Sequence, residues 1–281
     1  MVAFSLFWWD IYRYGIFYFI SFLILYGFLF RIGKRQYFRK YPWMQKFLTS
    51  HLDTLFICLI LWVLVWGRLG HFFIYHFQDL LQDPLSVFAV WKGGMSFIWG
   101  IIGVSIALFI FKKLTKATIQ DFSLLVACIL TFLPLGIFFG RLGNYLNQEL
   151  YGIPFMNPWF SETFVTLLQN LNFLHVYPHV DNVLRINTNL LSMLFEGFTL
   201  LIIQIFSFFF MIKRKQFQPI RLIAQFVLWY SLFRFLFEYL RSDSQLEFVG
   251  CFTKSQWFFL GFFIFWIVLL LCWGKKKYAL E

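Results

Sequence analysis

Seven apolar stretches, each of roughly 20 residues, constrain this chain more than any other feature. A helix of that length crosses the hydrocarbon core of a bilayer, so each stretch can span a membrane. The stretches run over residues 14–31, 52–75, 86–111, 120–140, 188–212, 219–240 and 255–274. Since 60% of the residues are hydrophobic and only 13% are charged, a water-soluble fold could not hide the apolar surface. We predict an all-α polytopic membrane protein of about seven transmembrane helices, a single integral membrane domain over residues 1–281.

The basic residues predict how the helices are oriented. Most of the 24 Lys and Arg residues fall in four clusters, which follow the first, third, fifth and seventh stretches. The clusters lie within 31–46, 112–116, 213–221 and 275–277. The positive-inside rule makes this side cytoplasmic, with the N-terminus outside and the C-terminus in the cytoplasm. These clusters also account for the net charge of +11, so we infer no nucleic-acid partner.

The remaining eight basic residues fall at the opposite ends of the spans, and six of them are arginine. A single arginine there is explained by snorkelling to the interface. As a set they favour convergence on an anionic ligand, because a guanidinium presents a planar fork that fits phosphate. The eight are Arg13, Arg68, Lys92, Arg141, Arg185, Arg234, Arg241 and Lys254.

A polar run closes the fourth apolar stretch. Residues 140–152 read GRLGNYLNQELYG, in which charged and amide side chains follow directly on an apolar helix. An arginine at the centre of a bilayer costs about 2.5–3.5 kcal/mol on insertion scales, so such groups need a partner or a ligand. The following segment is polar and contains three prolines, which predicts a small extracytoplasmic head at about 141–187.

A second charged group lies near the end of the sixth stretch. Arg234, Glu238 and Arg241 are spaced i, i+4 and i+7, which places them along one face of a helix. A carboxylate between two guanidinium groups forms an ion cluster that orients the arginines. A salt bridge that only pins neighbouring helices is the alternative.

These motifs resemble those of one family. Residues 140–152 closely resemble the signature of prolipoprotein diacylglyceryl transferases, membrane enzymes that move a diacylglyceryl group from phosphatidylglycerol to the lipobox cysteine of a bacterial prolipoprotein. Residues 234–241 are similar to the family's Arg-x-x-x-Glu-x-x-Arg motif, and residues 67–70 to its Gly-Arg-x-Gly. Residues 91–97 look like its Gly-Gly-Met-Ser-Phe loop, and residues 13–15 resemble its Trp-Tyr-Gly.

The resemblance implies a transferase of the bacterial inner membrane, with its active face outside and no cofactor or metal. The implied partners are phosphatidylglycerol, the signal-peptide and lipobox segment of prolipoproteins, and membrane lipid. Arg141 and Arg234 would hold the phosphate, Asn144 would bind headgroup oxygens, and Glu149 would orient the arginines. The implied substrate-binding residues are Tyr14, Arg68, Gly93, Gly94, Gly152, Glu238 and Arg241.

The chain departs from the family at both of its histidine motifs. The histidine that follows the Gly-Gly-Met-Ser-Phe loop is Ile98 here, and His-Pro-x-Gln-Leu-Tyr-Glu is replaced by residues 186–192; the resemblance resumes at Glu196-Gly197. Because isoleucine accepts no proton, we predict that the arginines lower the pKa of the substrate thiol below its free value of about 8.5. His175 and His179 of the head are weaker candidates for a base.

Two other functions remain open. A catalytically silent relative would bind phosphatidylglycerol or a lipoprotein without turnover. A small-solute channel or transporter has little support, because the chain has no internal repeat and its charges gather at one face rather than at the midplane.

Overall fold

The computed structural model describes residues 2–6, 9–35, 41–75, 77–85, 97–156, 159–242 and 248–278, and these residues are mostly helical. The α-helices are α1 (Arg13–Gly33), α2 (Pro42–Ser50), α3 (Leu52–Tyr75), α4 (Phe77–Gln82), α5 (Phe97–Leu114), α6 (Ile119–Leu146), α7 (Glu162–Asn170), α8 (Thr188–Ser192), α9 (Leu200–Lys213), α10 (Pro219–Glu238) and α11 (Lys254–Tyr278). A π-helical segment, Met193–Thr199, joins α8 to α9.

Each apolar stretch of the sequence contains a helix, and five of these helices are long and apolar enough to cross a membrane. The five candidate spans are Leu52–Phe73, Ile119–Leu146, Thr188–Lys213, Pro219–Glu238 and Lys254–Leu271. In α1 the apolar part, Phe19–Gly33, is shorter. The third stretch is helical from Phe97 onward, and residues 86–96 lie outside the described part of the chain. The protein is therefore a multi-pass membrane protein, while the count of seven spans and their orientation stay predictions.

Short antiparallel strand pairs accompany the helices, which the all-α prediction did not include. The strands are β1 (Val2–Leu6), β2 (Trp9–Tyr12), β3 (Leu174–Val176), β4 (Leu184–Ile186), β5 (Phe248–Val249) and β6 (Phe252–Thr253). Each strand pairs with its neighbour in the sequence, β1 with β2, β3 with β4 and β5 with β6. The β3–β4 hairpin lies in the segment predicted as a head.

The chain groups into two compact units. The first contains residues 13–25 and 126–281, and the second contains residues 2–12 and 26–125. In the first unit α10 packs against α11, with a buried cluster of Leu200, Phe226, Tyr230 and Phe259. Lipid tails are as apolar as these side chains, so such packing stabilises the bundle by van der Waals contact more than by the hydrophobic effect.

In the second unit α3 and α5 approach closely because glycines line their interface. A Cβ atom built on Gly70 would lie 2.0 Å from Cγ of Trp99, and one on Gly103 would lie 2.7 Å from Cβ of Trp66. The Trp66 and Trp99 rings stack with their centroids 6.0 Å apart. Small residues that allow neighbouring helices to pack closely are typical of helix–helix interfaces within membranes. Gly70 therefore leaves the room that the Trp99 ring occupies.

Candidate functional site

Arg141 lies in the last turns of α6. The helix continues to Leu146, six residues past the end of its predicted apolar stretch, so the first polar residues of the run are helical. Arg141 is only 9% exposed. Its Nη2 atom donates a hydrogen bond to Oε2 of Glu196 across 3.3 Å, which forms a buried ion pair.

Glu196 is presented by the π-helical segment. It is fully buried, and its other carboxylate oxygen, Oε1, has no hydrogen-bond partner. The next residue, Gly197, packs directly on α6, since a Cβ atom there would lie 2.7 Å from Cβ of Phe138. Phe138 precedes Arg141 by about one turn. Gly197 thus allows the close backbone approach that brings Glu196 to Arg141. The segment is also a π-helix, a form that is frequent at functional sites.

The ion cluster predicted near the end of α10 is present. Nη2 of Arg234 lies 3.2 Å from Oε2 of Glu238, and Nη1 of Arg241 lies 2.9 Å from the same oxygen. Arg241 is not on the helix as predicted, because α10 ends at Glu238 and Arg241 comes after a turn at residues 239–240. Oγ1 of Thr253 donates to Oε1 of Glu238 across 3.5 Å. Glu238 therefore holds two guanidinium groups at the end of one helix.

The polar run after α6 is tied to the residues after α10. Gly152 and Arg241 form an antiparallel bridge, flanked by hydrogen bonds from Ile153 N to Leu240 O and from Ser242 N to Tyr151 O. A Cβ atom on Gly152 would lie 2.2 Å from the carbonyl oxygen of Ile186, so no larger residue fits without a backbone shift. This packing fixes Arg241 relative to the end of α6.

The two ion-paired groups belong to one electrostatic cluster. The positive charges of Arg234 and Arg241 both repel that of Arg141. The Tyr230 phenol interacts electrostatically with the Glu196 and Glu238 carboxylates. The cluster consists of Arg141, Glu196, Arg234, Glu238 and Arg241, and we call it the arginine cluster. Its three guanidinium groups and two carboxylates carry a formal net charge of about +1 at neutral pH. An unbalanced charge in a membrane span is costly, so the cluster favours an anion.

The remaining residues of the polar run contact α8. Nδ2 of Asn189 donates to the backbone oxygen of Glu149 across 2.7 Å, and Oγ1 of Thr188 donates to Leu150 O across 2.6 Å. The Glu149 side chain is exposed and accepts a hydrogen bond from Nδ2 of Asn147, at 3.3 Å. Asn144 is half-buried in the last turn of α6. The carboxylate paired with Arg141 is that of Glu196, and the role of Glu149 stays a prediction.

The β3–β4 hairpin packs on the same polar run. Arg185 of β4 pairs with Asp181, and its Nη1 atom donates to the backbone oxygen of Gly152 across 3.0 Å. The hydrogen bond from Arg185 lowers the pKa of Asp181, and that same bond raises the pKa of Arg185. The Arg185 guanidinium also lies 5.0 Å from the centre of the Tyr151 ring. The Arg185 side chain thereby has a structural role, because it connects the hairpin to the backbone at Gly152.

The remaining predicted site residues are Arg68, Tyr14, Gly93 and Gly94. Arg68 is buried in α3 of the second unit, with its guanidinium 4.8 Å from the centre of the Phe72 ring. Tyr14 is in the first turn of α1, and its side chain is outside the described part of the structure, as are Gly93 and Gly94. Across the described ranges, no group of three or more His, Cys, Asp or Glu side chains is placed to hold a metal ion.

The sequence reasoning missed one member of the arginine cluster, Glu196, and one residue beside it, Tyr230. Glu196 was noted only as a point where the family resemblance resumes, and nothing local indicated a partner 55 positions away. Tyr230 precedes Arg234 by four residues, so it shares the face of α10 that carries Arg234 and Glu238. A polar residue on that face was a usable signal.

Comparisons with known proteins agree with the motifs. A family model described as prolipoprotein diacylglyceryl transferase matches residues 1–272. A protein of Polynucleobacter necessarius is 34% identical over 272 residues, covering 95% of this chain and 93% of that protein. A protein of Legionella pneumophila is 31% identical over 278 residues, covering 98% and 96%. One of Methylococcus capsulatus is 33% identical over 228 residues, covering 80% and 78%. All three bear the name phosphatidylglycerol–prolipoprotein diacylglyceryl transferase.

Proposed function

The chain belongs to the prolipoprotein diacylglyceryl transferase family, and we propose that it transfers the diacylglyceryl group of phosphatidylglycerol to the lipobox cysteine of prolipoproteins. It acts in the bacterial cytoplasmic membrane, with seven spans, the N-terminus outside and the arginine cluster towards the outer face. Its partners are phosphatidylglycerol, the signal-peptide and lipobox segment of the prolipoprotein, and membrane lipid.

The observation that carries this proposal is the charge of the arginine cluster. Three guanidinium groups, two of them buried, and two carboxylates leave about one positive charge at the ends of α6 and α10. The phosphodiester of phosphatidylglycerol carries one negative charge, so a single headgroup balances the cluster. Arg141 and Arg234 hold the phosphate, because a guanidinium fork offers two parallel hydrogen bonds to phosphate oxygens. Asn144 contributes hydrogen bonds to the headgroup.

The cluster also serves the chemical step. The lipobox thiol gives up its proton, and its sulfur attacks the glycerol carbon that bears the phosphate ester. The carbon–sulfur bond forms as the carbon–oxygen bond breaks, and glycerol phosphate leaves with the electron pair. Fixed donors in a site of low dielectric stabilise this developing charge without reorganisation. Glu196 and Glu238 hold the guanidinium groups in place, and Glu149, Gly152 and Arg241 shape the same end of the site.

The remaining residues implied by the resemblance are assigned to substrate binding. Tyr14 contacts the headgroup or the peptide, Arg68 offers a further cation, and Gly93 and Gly94 allow close approach of the backbone to the substrate. These roles rest on the family motifs alone.

A silent relative that binds the lipid or a lipoprotein without turnover is the second candidate. It is favoured by the isoleucines at 98 and 186, where the family has histidine. The two candidates differ in product formation, since both require the arginine cluster to bind an anionic headgroup.

The deciding experiment measures turnover and binding together. The purified protein in phosphatidylglycerol nanodiscs is incubated with a lipobox peptide, and both lipidated peptide and free glycerol phosphate are quantified. We expect both products from the wild type, and at least a 100-fold loss for Arg234→Ala, on the scale of one lost transition-state donor. Arg214→Ala, which removes an exposed arginine at the end of α9, is the matched control and should keep full activity. Lipid binding without either product would establish the silent relative instead.

A further inference from the structure

The proposed reaction needs an acceptor for the thiol proton, and the chain lacks the family's histidines. Isoleucine at 98 and at 186 accepts no proton. The arginine cluster stabilises a thiolate but does not remove its proton. A base near the cluster would therefore complete the proposed function.

His175 of β3 lies beside the end of α6. Its Nδ1 atom is 3.5 Å from the hydroxyl of Tyr145, and the two ring centroids are 5.0 Å apart. On its other side the Tyr177 ring meets the imidazole edge-on, also at 5.0 Å. The Tyr177 hydroxyl donates to Oδ1 of Asn187, which fixes that ring. The two tyrosine rings hold the imidazole in place. Because His175 is only partly buried, the imidazole remains accessible to a substrate.

Tyr145 connects this imidazole to the arginine cluster. Tyr145 and Arg141 are spaced i, i+4 within α6, so their side chains leave the same face with Cβ atoms about 5–6 Å apart. His175 therefore contacts the residue one helical turn beyond the guanidinium that holds the phosphate. In the proposed orientation this turn lies on the outer side of the cluster, from which the head reaches the site.

Few charged groups face His175. Tyr145 approaches from α6 and Tyr177 from its own strand. Arg185 is its cross-strand partner on β4, and the charge of Arg185 is paired with Asp181. Among the described residues, no carboxylate contacts His175 and holds it protonated.

The other histidines of the described chain are placed differently. His179 is exposed in the turn between β3 and β4, and its backbone N–H donates to Oε1 of Gln148. His51 and His71 belong to the second unit. His76 lies outside the described residues.

We propose that His175 is the general base that accepts the proton of the lipobox thiol. In the tautomer whose Nδ1–H donates to the Tyr145 oxygen, Nε2 carries the free electron pair. The thiol proton moves to Nε2 as sulfur attacks the glycerol carbon, and the carbon–oxygen bond to phosphate breaks. The proton then passes from the imidazolium to the departing glycerol phosphate or to water, which restores the neutral base.

The electrostatics of the hairpin suit this role. Burial lowers the pKa of His175 from its ordinary value near 6.5, so the imidazole is neutral at pH 7 and able to accept a proton. Because the lowered pKa belongs to the folded state, the unfolded chain binds the proton more readily, and stability falls as pH drops below about 6.5. Activity should fall over the same range, with a limb at or below pH 6.5.

The test compares pH profiles of kcat/KM for lipobox-peptide lipidation in phosphatidylglycerol nanodiscs. General-base catalysis contributes about 10²–10⁴-fold, so His175→Ala should lose at least 100-fold and should lose the acidic limb. Added imidazole should restore part of the rate in proportion to its neutral form. Tyr145→Phe keeps the ring and removes the hydrogen bond, so it should shift the limb to lower pH. His179→Ala is the matched control and should keep both the rate and the limb.

The outcomes separate this proposal from the proposed function. Wild-type turnover with His175→Ala unchanged in rate and limb overturns the assignment of the base and leaves the transferase intact. A loss in His175→Ala that imidazole does not rescue, with phosphatidylglycerol binding also lost, means a structural role and overturns it too. Phosphatidylglycerol binding without wild-type turnover overturns the transferase itself, and the base with it.

Discussion

The Glu196 carboxylate lies 3.3 Å from Nη2 of Arg141, and both side chains are buried although 55 positions separate them in the chain. Each of the two charges would be costly to bury alone, and the ion pair offsets part of that cost for both. The pair joins the end of α6 to the π-helical segment. It therefore supports both the packing of these helices and the orientation of the Arg141 guanidinium, which the proposed function assigns to phosphate binding.

Removing both members of this pair should cost less stability than the two single removals added together. Arg141→Ala and Glu196→Ala each leave a buried charge without its counter-ion, which costs about 3–5 kcal/mol. The double variant removes both charges, so its loss should be smaller than the sum of the single losses. Thermal unfolding in detergent measures the stability, and Glu162→Gln, an exposed carboxylate of α7, is the control. The double variant should still be inactive, because Arg141 is gone; full activity there would remove Arg141 from the site.

Gly152→Ala should disturb the link between the polar run and Arg241. The new Cβ would lie 2.2 Å from the carbonyl oxygen of Ile186, and a backbone atom cannot rotate away as a side chain can. Overpacking of this kind typically costs about 1–3 kcal/mol, and the shift should reduce transfer activity through Arg241. Gly136→Ala in α6 is a close control, since nothing lies within 4 Å of its Cβ position. Equal stability and activity of the two variants would contradict the packing described around Gly152.

Trp99 and Gly70 should behave as one packing unit. Trp99→Ala leaves a cavity against α3, which typically costs about 3–5 kcal/mol, and Gly70→Ala places a methyl group on the Trp99 ring. Alanine at position 70 should be tolerated once the Trp99 ring is removed. The double variant should therefore lose less free energy of unfolding than the two single variants added together. Gly100→Ala, with nothing within 4 Å of its Cβ position, should change little. Strict additivity in a denaturation experiment would argue against the contact.

The proposed orientation is testable by labelling single cysteines in intact cells. Asn182 in the turn between β3 and β4 and Arg214 after α9 are both exposed, so Asn182→Cys and Arg214→Cys should accept a maleimide without disturbing packing. The background lacks the native cysteines Cys58, Cys128, Cys251 and Cys272. A membrane-impermeant maleimide should label position 182 from outside and position 214 only after the membrane is opened. Labelling of both from the same side would rule out the topology.

Hydropathy and helical spacing were sufficient to predict the long apolar helices and the ion pair between Arg234 and Glu238. The predicted stretch at 52–75 coincides with α3, and the i, i+4 spacing of Arg234 and Glu238 gives the ion pair that the structure contains. Both are local properties, since a helix places residues four apart on the same face whatever surrounds it. The family signature at 140–152 likewise indicated the family to which the chain belongs.

The contacts that assemble the site were not predictable in the same way. The π-helical turn around Glu196 has no sequence period of its own, and the partner of Arg141 is set by how α6 packs on Gly197. Arg241 was predicted to lie on α10, but the helix ends three residues earlier, at Glu238. Arg241 instead forms an antiparallel bridge with Gly152. The Tyr145–His175 contact depends on a hairpin whose strands are only three residues long. Each of these depends on tertiary packing.

The bridge between Gly152 and Arg241 has a consequence for biosynthesis. When the chain has been made only as far as Lys213, it contains Arg141 and Glu196, whose charges cancel. The net positive charge arrives only with α10 and the turn after it, which bring two arginines and one glutamate. The bridge between positions 152 and 241 can form only after both have been synthesised. If the arginine cluster binds the headgroup as proposed, a chain truncated before α10 lacks the net charge that this cluster would present to the phosphate.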